Sequence, residues 1–242
     1  MIPLKDDTAR ERLPLLNYLL IAINVAVFSR ELLLGTEVEQ FVSRFGLVPH
    51  AMTVDISGGF SPERHLLPWV THMFIHGGWL HLLGNLWFLH IFGDNVEDRL
   101  GRFRFLVLFF SGGLVAGLVQ IVTAPTDTTP MVGASGAISA VVGAYLVLYP
   151  RARILTLLPI FVLFYFIRIP AFIFIGLWFA LQLLYGYTSL LAQTPGGVAW
   201  WAHVGGFAAG LVLAMLLKAG TVARPRLELA PGRINVLRGR RG

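Results

Sequence analysis

The chain has 242 residues, of which 56% are hydrophobic and 13% charged, with 26 glycines, no cysteine and a formal net charge of +6. Soluble domains carry about 25% charged residues, so this chain cannot clothe its apolar content in a hydrated shell. The excess apolar surface is expected to face lipid, which disfavours a soluble enzyme, a disordered chain and a nucleic-acid binder. Without cysteine there are no disulfides, thiolate metal sites or cysteine nucleophiles.

Residues 1–14 carry Lys5, Arg10 and Arg12 beside Asp6, Asp7 and Glu11. The acidic residues argue against a mitochondrial transit peptide, and the apolar run that follows lacks a small-residue cleavage site. It is read as a retained first span, Leu15–Leu34, interrupted near its end by Arg30 and Glu31. Residues 40–78 then form a long loop whose Phe60, Trp69 and Phe74 suit a membrane interface. The second span starts at Trp79, is apolar to Phe92 and continues as helix to about Arg99. The third is Phe103–Val122, the fourth Met131–Tyr149, the fifth Ile169–Leu191 and the sixth Val198–Leu217. Each approaches the ~20 residues that cross ~30 Å of hydrocarbon, and helices satisfy their own backbone groups there.

Between the fourth and fifth spans, Ile154–Ile167 is apolar but short, and reads as an interfacial or re-entrant segment. Counting it as a seventh crossing would carry the basic C-terminal tail to the opposite side. Residues 219–242 lack apolar periodicity and read as a mostly disordered, basic cytoplasmic tail near anionic headgroups. With six spans, 16 of the 19 Lys and Arg residues fall on one side: in residues 1–14, between spans two and three, after span four, and in the tail. Cationic loops stay cytoplasmic, so both termini are expected inside. The long first loop and the links at residues 123–130 and 192–197 are expected outside.

Polar residues within apolar spans are functional candidates. Ser135 lies in GASGAISA near the outer end of the fourth span, His203 in AHVGGFAAG near the outer end of the sixth. Taken alone, the first motif reads equally as small-residue helix packing and the second as an interhelical hydrogen bond. Taken together they lie at similar depth on spans running in the same direction. Gly206 and Gly210 give the sixth span a face that can approach closely. A serine with a base in reach is an activated nucleophile, and free N–H groups at a helix start favour an oxyanion. His81 and Asn85, four apart on one face of the second span, can both donate to such an oxyanion. His72, His76 and His81 invite a metal reading, but no carboxylate joins them and Gly77–Gly78 breaks the helical register; neither metal nor cofactor is expected. His90 is assigned to packing.

These motifs, HGGWLHLLGN, GASG and AHVGGFAAG, in this order, resemble those of the rhomboid family of intramembrane serine proteases. The resemblance runs over roughly residues 10–218 and includes DNVEDRLG after the second span. It implies an all-α membrane protein, a six-transmembrane-helix bundle spanning residues 15–218 with a long membrane-associated first loop. It also implies a Ser–His dyad in a cavity open to the outside of the cell membrane, and transmembrane proteins as substrates. By position, Ser135 would be the nucleophile and His203 the base. His81, Asn85 and the Ser135 N–H would form the oxyanion hole, and His76 and Glu97 would have structural roles. The position four after the nucleophile, commonly aromatic in the family, is Ser139 here, so support for the His203 ring is missing from that side. No acidic third member is evident. The competing reading is a non-catalytic rhomboid-like protein that holds transmembrane clients; a transporter would want charged residues in mid-span, and none is convincing.

Overall fold

The structure is a computed structural model that describes residues 1–54, 60–192, 197–218, 227–230 and 233–236. The chain opens with strand β1 (Ile2–Asp6) and enters helix α1 (Leu15–Leu33). The first loop is built of short helices: α2 (Val38–Phe45), α3 (Pro49–Val54), α4 (Pro62–His65) and α5 (Pro68–Thr71). Three of these begin with proline, whose fixed φ suits a first helical turn and whose missing N–H costs nothing there. α6 (Trp79–Phe88) passes through a π-helical segment, Leu89–Gly93, into α7 (Asp94–Leu100). Gly101, at φ 83°, turns the chain into α8 (Arg102–Thr123). α9 (Ser135–Leu148) is followed by strands β2 (Arg153–Ile160) and β3 (Leu163–Pro170), then α10 (Ala171–Ala192) and α11 (Trp200–Leu217). Strands β4 (Leu227–Ala230) and β5 (Arg233–Val236) close the described chain.

Among the described residues, α1, α8, α10 and α11 are long and apolar enough to cross a membrane. The second expected span is helical throughout. The fourth is helical only over the 14 residues of α9, about 21 Å of rise. The expected start at Met131 is corrected. Met131 is held extended by backbone hydrogen bonds in both directions with Leu47 (3.0 and 2.8 Å), and Gly133 adopts φ 116°. A helix cannot begin until that segment ends.

α9 is the hub. Gly136 through Tyr145 are all buried, between α8 and α11. Close approach is made by glycines. A methyl group at Gly112 would collide with Ala140, at Gly206 with the Gly136 carbonyl, at Gly210 with the Ala140 carbonyl, and at Gly143 with the Phe207 carbonyl. The Gly136–Gly206 and Ala140–Gly210 contacts ascend together along both helices, so α9 and α11 are parallel and packed nearly backbone to backbone, as small residues permit. Around the lower half of α9, Phe92, Phe105, Phe109 and Val141 form a fully buried core.

The protein is mostly helical, as expected, but strands accompany the helices. The Ile154–Ile167 segment is an antiparallel β2–β3 hairpin, and β1 pairs with β2 to complete a three-stranded sheet in the order β1-β2-β3. The N-terminal segment is therefore part of the fold. Asp6 accepts hydrogen bonds from Asn95 Nδ2 (2.9 Å) and from the Tyr145 hydroxyl. Glu97, 3% exposed, accepts the N–H groups of Leu16 and Asn17 at 3.2 and 2.7 Å. A carboxylate at the start of α1 satisfies two of its orphan donors and complements the helix dipole. Within the tail, β4 and β5 pair as a short hairpin, which the sequence did not signal. The expectation of disorder otherwise falls on residues 219–226, 231–232 and 237–242, outside the described residues. His90 is exposed, so its assignment to packing is corrected as well.

Candidate active site

The non-helical stretch before α9 places Ser135 at the first position of that helix. Leu47 grips this stretch from one side, and the His72 carbonyl accepts the Gly133 N–H at 2.8 Å from another. Ser135 is thereby set at a helix start inside the bundle. First-turn N–H groups have no intrahelical partner and carry the positive end of the dipole.

His203, in the first turn of α11, brings its Nε2 to 2.8 Å from Ser135 Oγ. Both side chains are half-buried. The other ring nitrogen, Nδ1, lies 2.9 Å from the amide oxygen of Gln182 in α10. A carbonyl oxygen only accepts, so Nδ1 carries the proton and the Nε2 lone pair faces the serine hydroxyl. Gln182 is 6% exposed, and the motif reading missed it. The one signal available was a lone amide within an apolar span, where a polar side chain is costly and marks a functional candidate. The His203 ring is flanked by Trp178, stacked at 6.5 Å and 29°, and by Trp200, edge-on at 6.0 Å. Ser139 donates its hydroxyl to the Ser135 carbonyl at 2.7 Å. It is thus occupied as a helix back-bond.

His81 and Asn85 line the other side of the Ser135 loop. A methyl group at Gly133 would collide with His81 Nε2 and stand 3.5 Å from Asn85 Nδ2. That glycine leaves open the space into which both side chains point. His81 Nδ1 accepts the Gly77 N–H at 3.4 Å, so its proton sits on Nε2, toward that space. Asn85 Nδ2 is buried and has no hydrogen-bond partner among the described residues. A buried donor left unmade costs about 1–3 kcal/mol, a cost that an incoming oxygen would relieve.

His72 and His76 stand behind this wall. His72 directs Nδ1 at the Pro68 carbonyl, 2.7 Å away, and the His76 N–H meets the Glu31 carboxylate at 3.2 Å. Burial lowers both imidazoles from their ordinary value to about 4, with the neighbouring His81 adding to the effect on His76. Among the described residues no three His or carboxylate side chains converge as a metal site would require.

Residues 63–220 match the family model described as the Rhomboid domain. The chain is 36% identical over 101 residues to presenilin-associated rhomboid-like protein A, mitochondrial, of Danio rerio, covering 40% of this chain and 26% of that protein. It is 30% identical over 148 residues to RHOMBOID-like protein 5 of Arabidopsis thaliana, covering 61% and 43%. It is 42% identical over 69 residues to Rhomboid-like protein 11, chloroplastic, of the same plant, covering 28% and 24%. The chain spans less than half the length of each of these relatives.

Proposed function

Since the chain belongs to the rhomboid family, we propose that it is an intramembrane serine endopeptidase that cleaves transmembrane segments of other membrane proteins. The observation that carries this reading is the 2.8 Å contact between His203 Nε2 and Ser135 Oγ. His203 takes the hydroxyl proton as the oxygen attacks a peptide carbonyl. The carbonyl oxygen becomes an oxyanion in the space beside Gly133, where His81 Nε2–H, Asn85 Nδ2 and the Ser135 N–H donate to it. His203 then protonates the leaving amine, and water admitted to the half-buried site releases the acyl-enzyme by the same steps in reverse roles. A helical carbonyl is already hydrogen-bonded, so the substrate must unwind locally, which favours helix-weak segments of small residues.

The charge asymmetry supports six spans in the cell membrane, with both termini cytoplasmic and the dyad opening to the outside. The experiment is to incubate the purified protein in liposomes with a transmembrane substrate, and separately with a fluorophosphonate probe. Cleavage and labelling that both vanish in Ser135→Ala support the reading. Substrate retention without cleavage or labelling in the wild type favours the client-holding alternative.

A further inference from the structure

The β2–β3 hairpin has a composition that no water-facing hairpin has. Side chains alternate across a strand, so a sheet with one solvated face alternates apolar and polar residues. Here every residue from Ile160 to Ile167 is hydrophobic and exposed, on both faces, with Phe161 99% and Val162 86% exposed. No charged residue occurs from Ile154 to Ile167, while Arg151, Arg153 and Arg168 stand at the base.

The direction of the hairpin follows from β1. Asp6 is bonded to Asn95, whereas Pro3, three residues earlier, accepts a hydrogen bond from Trp87 Nε1 at 2.6 Å. Strand β1 therefore follows the α6–α7 helix with Pro3 at Trp87 and Asp6 at Asn95, a helical rise of about 12 Å. β2 pairs Ile154 with Asp6 and Leu157 with Ile2. Antiparallel to β1, it leaves its base beside Asp6, heads the way from Asn95 to Trp87 and continues past Ile2. The exposed tip thus points along the bundle from the Asn95 end, and at the base the hairpin passes directly into the exposed apolar start of α10 at Phe172 and Ile173.

We propose that the β2–β3 hairpin is a re-entrant element whose tip is buried among the acyl chains of the leaflet at the Asn95 end of the bundle. Its basal arginines meet the lipid phosphates. Lipid is the occupant that accepts apolar side chains on both faces at once. Because the chain has no cysteine, Phe161→Cys in the full-length protein carries a single thiol. A fluorophore there, in phosphatidylethanolamine–phosphatidylglycerol liposomes, should be quenched by lipids brominated on the acyl chain and spared by aqueous iodide. The same label at exposed Glu37→Cys should show the reverse. Should Phe161→Cys fail to fold, Val162→Cys takes its place. Quenching by iodide alone overturns the proposal, and so does a disulfide-linked dimer that persists on dilution into excess lipid, which would make a second copy the occupant.

A separate observation carries a second inference, which rests on the proposed peptidase reading. We infer that Gln182 is a positioning residue that fixes the His203 tautomer, while Trp178, one helical turn earlier, holds the ring. Together they supply from α10 the support that Ser139 is too small to give from α9. Gln182→Met keeps the volume and removes the acceptor; kcat should fall about 10²-fold, the lower end of what a general base contributes, with KM little changed. Gln182→Glu should retain most of kcat and move the acid limb of kcat/KM upward, because a carboxylate favours the imidazolium. Nitrogen NMR of His203 should show the proton on Nδ1 in the wild type and a tautomer mixture in Gln182→Met. An Nε2–H tautomer in the wild type overturns the inference whatever the activity. A wild type with the Nδ1–H tautomer and no cleavage overturns the peptidase reading alone. A lowered melting temperature in Gln182→Met with an unchanged tautomer and pH profile would make Gln182 merely structural.

Discussion

Gly206 of α11 lies against the carbonyl of Gly136 in α9 with no room between them for a methyl group. The first glycine is three residues after His203 and the second is one residue after Ser135. The closeness of these two backbones thus sets the separation of the two side chains, and it is relieved by neither neighbour, since a helix carbonyl cannot step aside.

Gly206→Ala is therefore expected to push the helices apart at the dyad. Overpacking of this kind costs roughly 1–3 kcal/mol, and misplacing the base should lower kcat by more than tenfold. Cleavage assays and thermal unfolding on the purified variant test both. Wild-type turnover at the wild-type melting temperature would mean that the contact does not govern the dyad.

Ser135→Ala should remove cleavage and phosphonate labelling while leaving the melting temperature near that of the wild type. Ser139→Ala should cleave at close to the normal rate, because its hydroxyl is spent on the Ser135 carbonyl. An inactive Ser139→Ala with an active Ser135→Ala would reverse the assignment.

Asn85→Ala removes a donor that has no partner among the described residues. Its loss should cost about 10²–10³ in kcat, or roughly 3–4 kcal/mol, with KM little affected. Stability should hold or rise slightly, since an unsatisfied buried group is deleted. His81→Ala should behave alike in kcat, and the double variant should be less than additive because both serve one oxyanion. A steep fall in melting temperature with near-normal kcat would show two helix staples instead.

The contribution of His72 and His76 to stability should decline on acidification. His72 and His76 are held neutral, near 4, by burial, whereas in the unfolded chain they take up protons near 6.5. As pH falls from about 6.5 to about 4 the unfolded state binds protons that the folded state refuses, so stability drops across that window and is full above it. For His72 the loss is on the order of 3 kcal/mol. Melting curves between pH 7.5 and 4.5 measure it, and His72→Gln should flatten the slope. An unchanged slope in that variant would place the titration elsewhere.

Reporter fusions at residue 127 and after residue 218 should read opposite sides of the membrane, external and cytoplasmic respectively. Two external readings would mean an additional crossing and would break the match between basic residues and one side.

The helical bundle was legible in the sequence because lipid imposes a local rule: each crossing must satisfy its own hydrogen bonds over a contiguous apolar stretch. Ser135, His203, His81 and Asn85 were legible as polar residues in such stretches, on glycine-rich or i,i+4 faces that one helix determines by itself. The rest depended on distant partners. Ile2 meets Leu157 across the whole first half of the chain, and no local pattern announces a strand whose mate is so remote. The start of α9 at Ser135 is decided by Leu47 and His72 pulling the preceding residues straight, not by their own propensities. Gln182 carries no motif, and its meaning arises only when α10 and α11 pack and its amide oxygen arrives 2.9 Å from His203 Nδ1. Local chemistry singled out the candidate side chains, and tertiary packing alone decided which nitrogen of that histidine faces the serine.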